Sequence, residues 1–330
     1  MSGDRQAVQA TPASPAAGSW RGRLAARLLS AGSWLACHLP ERLAVGLANL
    51  AGDVWYRTAA DKRRLARANL GRVVGWMAAN STGDPSAWPA ADDPAALERL
   101  LRSAFRHYAR NYLETMRAPI MGGAYVRERT SVDNPAEVEA AFAVDGPMIF
   151  VGLHFGALEL PGFYLVERAG RPVTAPMEAV DEPAVQAWFV RTRGVIGVRL
   201  VGIREARREL SAALERGEIA GLIADRDITG GGVELPFFGV PAPIPAGPGL
   251  LAVQSGVPCF VAGVWRTGPG HYRGRVERIE ASGGGSRREQ VTAFLTAEAA
   301  AFERVIVRAP EQWWAIFFPI WPDLVAGNAA

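Results

Sequence analysis

Two periods of hydrophobic spacing divide this chain. From Trp20 to Trp76 apolar side chains recur every three or four positions, which predicts helices over about 19–38 and 40–58, separated at Pro40, and a third, basic helix from Asp61 to about Trp76. Asn80 to Pro94 is rich in Ser, Gly, Asp and Pro and reads as an exposed insertion. Helical spacing resumes from Pro94 to Met116, with Leu97, Leu100, Leu101, Ala104, Phe105, Tyr108 and Tyr112 on one stripe. From Pro147 onward short apolar runs alternate with helical stretches. Strands are expected at 148–153, 172–176, 198–202, 219–224 and 258–265, and helices near 156–168, 183–194, 204–216, 247–255 and 287–307. His271 to Ile279 adds a late antiparallel strand, and Ser282 to Ser286 a loop before the last long helix. Such alternation predicts an α/β fold with a mostly parallel sheet flanked by helices. No internal repeat is visible. The expected organisation is a disordered tail at 1–18, a helical arm at 19–76 and one α/β domain at 95–330.

Charge refines the picture of the arm. The net charge is +3, yet residues 1 to 72 hold eleven basic groups against four acids. The arginines interleave Trp20, Leu24, Leu28, Leu29, Trp34, Leu35, Trp55 and Tyr56. Arginines beside an apolar, tryptophan-bearing stripe suit helices lying in an anionic membrane interface. A basic helix packed on the core by its leucines is the plainer alternative, and nucleic acid is not an expected partner. No bilayer span is predicted. Leu28 to Pro40 is uncharged but too short. The 31 uncharged residues from Leu235 to Trp265 carry six prolines, which favours a loop, a short helix and a buried strand over a lipid-exposed helix. The first 18 residues lack the apolar core of a secretory signal. Cys37 and Cys259 lie far apart in apolar segments, with neither a disulfide framework nor zinc-ligand spacing, as expected of a reducing compartment.

The candidate chemistry begins where the run Met148-Ile149-Phe150-Val151 ends, at His154 and Gly156, before a new helical pattern. A histidine at the carboxyl end of a parallel strand sits where open α/β sheets bind ligands. Glu159 follows five positions later, so the two meet only if His154 lies on the turn and Glu159 in the first helical turn. A carboxylate bonded to one imidazole nitrogen fixes the tautomer and leaves the other as a general base. An isolated pair of this spacing is more often a histidine satisfied by a helix cap.

Four blocks in series change that weighting. His154-Phe155-Gly156-Ala157-Leu158-Glu159 is followed by Leu222-Ile223-Ala224-Asp225-Arg226-Asp227 with Gly232 to Gly239, then by Ile244-Pro245-Ala246-Gly247-Pro248 with Ser255 to Pro258, then by Pro310-Glu311-Gln312-Trp313-Trp314 and Trp321-Pro322-Asp323. In order and spacing they resemble the branch of the glycerolipid acyltransferase superfamily that contains the lipid A biosynthesis and phosphatidylinositol mannoside acyltransferases, over roughly residues 20 to 325. Two departures stand out: Glu159 where that branch more often has aspartate, and Asp225 where the mannoside enzymes tend to have glutamate.

The resemblance implies transfer of a fatty acyl chain from acyl-CoA or acyl carrier protein to a hydroxyl of a membrane lipid, by a peripheral protein on the cytoplasmic face of the plasma membrane. It implies His154 as general base, Glu159 holding the imidazole, Asp225 as a supporting acid and Arg226 as an anion-binding or structural arginine. Glu178 and Arg193 fall where relatives have an acid and an arginine near the site, on looser similarity that leaves a surface role open. Gly247 opens a helix whose first N–H groups could hold a phosphate. No metal and no cofactor are implied. The tail looks more like the mannoside branch, which implies acyl-CoA and a phosphatidylinositol mannoside. Two other classes remain: a lipid hydrolase, against which stand the missing second histidine of H-E-x-x-H and the missing G-x-S-x-G elbow, and a non-catalytic membrane-associated scaffold. Phe237-Phe238 and the aromatics Trp313, Trp314, Phe317, Phe318 and Trp321 fit an acyl channel or ordinary core equally well.

Overall fold

The computed structural model describes residues 18–280 and 284–326. The expected tail lies outside the described residues but for Gly18, as do 281–283 of the loop before the last long helix. Three helices open the fold: α1 (Trp20–His38), α2 (Glu41–Thr58) and α3 (Ala60–Ala79). Ser19 caps the first by accepting from the Gly22 N–H, and Pro40 separates it from the second. The long α4 (Pro94–Arg117) begins at Asp93, which accepts from the Ala95 N–H, with proline in the first turn. Residues 80–93 are less exposed than expected: Pro85–Ala91 forms a 3-10 turn on α3 and α4, with Ala87 and Ala90 buried and the Trp88 indole donating to the Thr82 carbonyl.

Next come α5 (Gly123–Arg129), β1 (Thr130–Val132), α6 (Pro135–Phe142), β2 (Met148–Gly152), α7 (Glu159–Ala169), β3 (Val173–Met177), α8 (Pro183–Gly194), β4 (Val198–Gly202), α9 (Ala206–Glu215) and β5 (Ile219–Ile223). The uncharged, proline-rich stretch opens as an antiparallel hairpin rather than a loop, β6 (Val233–Phe237) with β7 (Val240–Ile244). A two-stranded ribbon leaves outward N–H positions unpaired, where proline costs no ladder bond. Then follow α10 (Gly247–Ser255), β8 (Cys259–Gly268), β9 (His271–Ile279), α11 (Arg287–Ile306) and the short α12 (Pro322–Ala326).

Seven strands form one sheet in the order β1-β9-β8-β2-β5-β3-β4. The five from β8 to β4 are parallel, β9 runs antiparallel to β8, and β1 pairs parallel with β9. The fold is therefore α/β with a mostly parallel sheet between helices. Its main core lies between the sheet, α3, α4 and α11, and it takes in the C-terminal aromatics: Trp313, Phe317 and Trp321 are fully buried. α3 belongs to this core through Leu70, Val73, Val74 and Met77.

The first two helices are fastened to the body. α2 lies along α4, whose backbone passes so close that a Cβ on Gly52 would meet Arg106 Cα at 2.7 Å. Next to it the Asp53 carboxylate accepts from Arg102 and Arg106, each through two nitrogens at 2.7–2.8 Å, and these bonds hold its carboxyl well below the usual range. The outer faces of these helices stay apolar, with Trp20, Leu28, Trp34, Leu43, Leu47, Leu50 and Val54 at least half exposed. Trp55 and Tyr56, expected on the same stripe, instead pack against Phe105. Among the described residues no helix is long and apolar enough to cross a membrane.

Candidate active site

Register brings the site together. β2 and β5 are parallel neighbours with Gly152 opposite Ile223. His154 and Asp225 each lie two residues beyond that pair, so both leave the carboxyl edge of the sheet at one level. The Asp225 carboxylate accepts from the His154 backbone N–H at 3.0 Å and lies 2.7 Å from the imidazole Nδ1. The Trp313 indole donates to the same carboxylate at 2.7 Å. Burial alone would raise the Asp225 carboxyl, but the His154 charge and these hydrogen bonds outweigh it and hold it below its ordinary value. An ionised Asp225 can only accept, so Nδ1 donates to it and Nε2 is the ring nitrogen turned away from that bond.

The turn that carries His154 is stitched on both sides. The Trp314 N–H donates to the His154 carbonyl at 2.9 Å, and the Gly156 N–H to Gln312 at 2.9 Å. Gly156 has φ +52, and a Cβ there would meet the Val264 carbonyl at 2.0 Å, so this position takes glycine alone. The Trp314 ring stands edge-on to the imidazole with centroids 4.6 Å apart. The imidazole keeps a 13% exposed side chain, while the Asp225 side chain has none. This is a histidine open on one side and anchored on the other.

Glu159 opens α7 as expected, but its carboxylate turns away from the imidazole. It accepts from Thr115 Oγ1 at 3.0 Å and Arg193 Nε at 2.9 Å, linking α4, α7 and α8 beneath the turn. The expectation that Glu159 holds the imidazole is therefore corrected. Four residues separate the two, the turn uses all of them, and the register of β2 on β5 delivers Asp225 to Nδ1. Asp225, expected as a more remote acid, is the direct partner. Asn111 joins the same region from α4, accepting from the Leu158 N–H at 3.4 Å.

Glu178 and Arg226 meet each other at 2.6 Å, and the Arg226 guanidinium stacks 4.0 Å from the centre of the Phe318 ring. They face an open cleft of about 1070 Å³ at the same sheet edge, shared with Arg204, Glu205 and Asp227. Asp227 itself folds the following loop, accepting from the N–H groups of Thr229, Gly230 and Gly232 at 2.8–3.0 Å. Gly247 begins α10, which packs on α9 and α11, and takes part in none of the contacts around His154. On the α7 side an apolar cavity of about 160 Å³ runs past Leu153, Phe155 and Leu158 to Met177, Ile196 and Leu200, with Glu159 and Arg193 in its wall.

Sequence reasoning did not anticipate Thr115, Asn111 or Glu298. The first two sit on the polar edge of a strongly amphipathic α4, where nothing marks them apart. Glu298 lies mid-helix in α11, fully buried, with neither carboxylate oxygen hydrogen-bonded among the described residues. Burial, with the Asp225 charge adding to it, pushes its carboxyl well up and keeps it neutral. Its signal was a lone acid in an apolar helix stripe. Among the described residues no three His, Cys, Asp or Glu side chains lie where they could share a metal ion.

Comparison with known proteins adds a finding of a different kind. The family model described as bacterial lipid A biosynthesis acyltransferase matches residues 23–318. A phosphatidylinositol mannoside acyltransferase of Mycolicibacterium smegmatis is 27% identical over 288 residues, covering 86% of this chain and 87% of that protein. A protein of the same name from Mycobacterium tuberculosis is 26% identical over 289 residues, covering 86% and 84%.

Proposed function

The chain belongs to the bacterial lipid A biosynthesis acyltransferase family and is an acyltransferase, and from that premise we propose that it moves a fatty acyl group from a thioester to a hydroxyl of a membrane glycolipid, with His154 as base. The observation that carries this reading is the imidazole held through Nδ1 by a buried, ionised Asp225 at the carboxyl edge of the sheet, with 13% of the His154 side chain exposed. As the acceptor oxygen attacks the thioester carbonyl, its proton passes to Nε2 and a C–O bond forms. The tetrahedral adduct then expels the thiolate as the C–S bond breaks, and the imidazolium returns the proton to sulfur. Asp225 steadies the imidazolium between these steps. General base catalysis of this kind contributes on the order of a hundred- to ten-thousand-fold. The thioester is already activated, so no covalent acyl-enzyme is required.

The surroundings support a division of labour. The apolar cavity beside Leu153 and Phe155 suits the acyl chain of the donor, and the open cleft beside Arg226 and Glu178 suits a polar headgroup. Glu159 and Arg193 form a wall of the acyl cavity and brace the turn. The exposed apolar faces of α1 and α2, flanked by Arg21, Arg23, Arg27, Arg42 and Arg57, favour an interfacial arm resting on an anionic leaflet. A phosphatidylinositol mannoside as acceptor is supported by the names of the relatives, and acyl-CoA follows as donor with it. The test is direct: incubate the purified protein with radiolabelled palmitoyl-CoA and vesicles containing phosphatidylinositol mannosides. We expect label in the mannoside fraction with the wild type and none with His154→Ala. Label appearing only as free fatty acid would overturn the reading in favour of a hydrolase.

A further inference from the structure

A second apolar space shares no lining residue with the donor cavity. It is a groove of about 450 Å³ between α1, α2 and α4, and no charged side chain lines it. Leu47, Ala48 and Trp55 form one wall, and Tyr108, Tyr112 and Met116 the other. Leu35 and Leu47 of its lining are each 50% exposed, and Leu43 and Leu50, on the same helix as Leu47, are more exposed still. A contiguous apolar patch of this kind on a water-soluble face marks something that covers it.

The inner end identifies what that is. The ring of Tyr108 lies 5.5 Å from that of Trp314, and the ring of Trp314 lies 4.6 Å from the His154 imidazole. Two ring contacts thus connect a wall of the groove, through Trp314, to the imidazole of the proposed base. A docked helix or a flat bilayer would account for the apolar opening but not for a groove wall in ring contact, through Trp314, with the imidazole. A single flexible hydrocarbon chain tethered to a hydroxyl-bearing headgroup accounts for both. The exposed arginines along α1 and α2 add attraction for an anionic lipid at the mouth.

We propose that this groove receives an acyl chain of the acceptor lipid, drawn partly out of the leaflet so that its headgroup hydroxyl reaches Nε2. The proposal rests on the reading of the chain as a lipid-acceptor acyltransferase. It adds a binding site in the protein for the acceptor's tail, with no lining residue in common with the donor cavity.

The test uses the full chain with vesicles of phosphatidylcholine and phosphatidylinositol, in which the phosphatidylinositol bears a photoactivatable diazirine near the end of one chain. After irradiation, cross-linked residues are mapped by mass spectrometry. We expect adducts on the groove floor, at Ala48, Trp55, Tyr108 and Tyr112. Ala48→Trp should cut these adducts and raise KM for a vesicle-borne acceptor, each about tenfold, acting on KM rather than kcat. Vesicle binding should stay within about twofold, since the outer faces that touch the bilayer are unchanged. Ala51→Trp, from a more exposed position on the groove, serves the same purpose if the first variant does not fold. Adducts confined to outward residues such as Trp34 and Leu43 would overturn the proposal and make the groove a plain membrane-contact surface. So would an unchanged KM in both plugged variants. Floor adducts from a wild type that transfers no acyl group would leave the lipid site standing and refute the catalytic reading, so the two failures are separable.

Discussion

Two carboxylates flank the turn that carries His154, one at the end of β5 and one at the start of α7, and they have different partners. Asp225 has a side chain with no exposure, yet it accepts three hydrogen bonds and stays ionised against the imidazole. Glu159 is almost as buried, but its partners are an arginine and a threonine on neighbouring helices. Burial is similar, and the difference lies in what each is bonded to. In the proposed mechanism the carboxylate facing the histidine supports proton transfer, whereas the one facing the arginine braces neighbouring helices. Membership of the motif around the histidine therefore does not by itself make Glu159 the partner of the base.

The largest effect should come from the proposed base itself. His154→Ala should lower acyl transfer by roughly two to four orders of magnitude with an unchanged circular dichroism spectrum. A variant keeping more than about a tenth of wild-type turnover would remove His154 from that role. Next in size, Asp225→Asn should lower kcat about a hundredfold or more with little change in KM, because the amide cannot support the imidazolium. Glu159→Gln should behave differently. Leaving Arg193 half-buried beside a neutral amide should cost about 1–3 kcal/mol in a urea titration, while turnover per folded molecule falls by about tenfold at most. Equal kinetic losses in these two variants would erase the contrast drawn above.

The smallest predicted effect concerns a third buried carboxyl. Glu298 has no hydrogen-bonding partner among the described residues and is held neutral, its folded value raised above the unfolded one. Above about pH 4.3 the unfolded chain gives up this proton while the folded chain keeps it, so the group lowers stability as pH rises, by at most about 1.4 kcal/mol per pH unit. Glu298→Gln keeps the neutral shape and removes that dependence. Its stability advantage over wild type should therefore grow between pH 5 and pH 8, as measured by chemical denaturation at each pH. A constant difference across that range would mean that Glu298 is charged in the folded protein.

Much of the sheet was legible in the sequence because buried parallel strands are short apolar runs with sharp ends. The strand ending before His154 is found at 148–152 against an expected 148–153, and that ending before Asp225 at 219–223 against 219–224. What the runs cannot convey is which strands are neighbours. Only the pairing of β2 with β5 places Asp225 beside His154, and it displaces Glu159 from the imidazole. The hairpin from Val233 to Ile244 was masked by its prolines, which weigh against a strand until both partners form a ribbon. Thr115 and Asn111 were invisible for a simpler reason: a polar residue on a helix edge looks like any solvated position until another helix is laid over it.

The central claim is that Asp225, and not Glu159, holds the imidazole of the base. Nuclear magnetic resonance of protein labelled with 15N-histidine reads that bond directly. The account predicts a low-field, exchange-protected Nδ1 proton on His154 in the wild type, retained in Glu159→Gln and absent in Asp225→Asn. The reverse pattern, with the signal lost in Glu159→Gln and kept in Asp225→Asn, would contradict it.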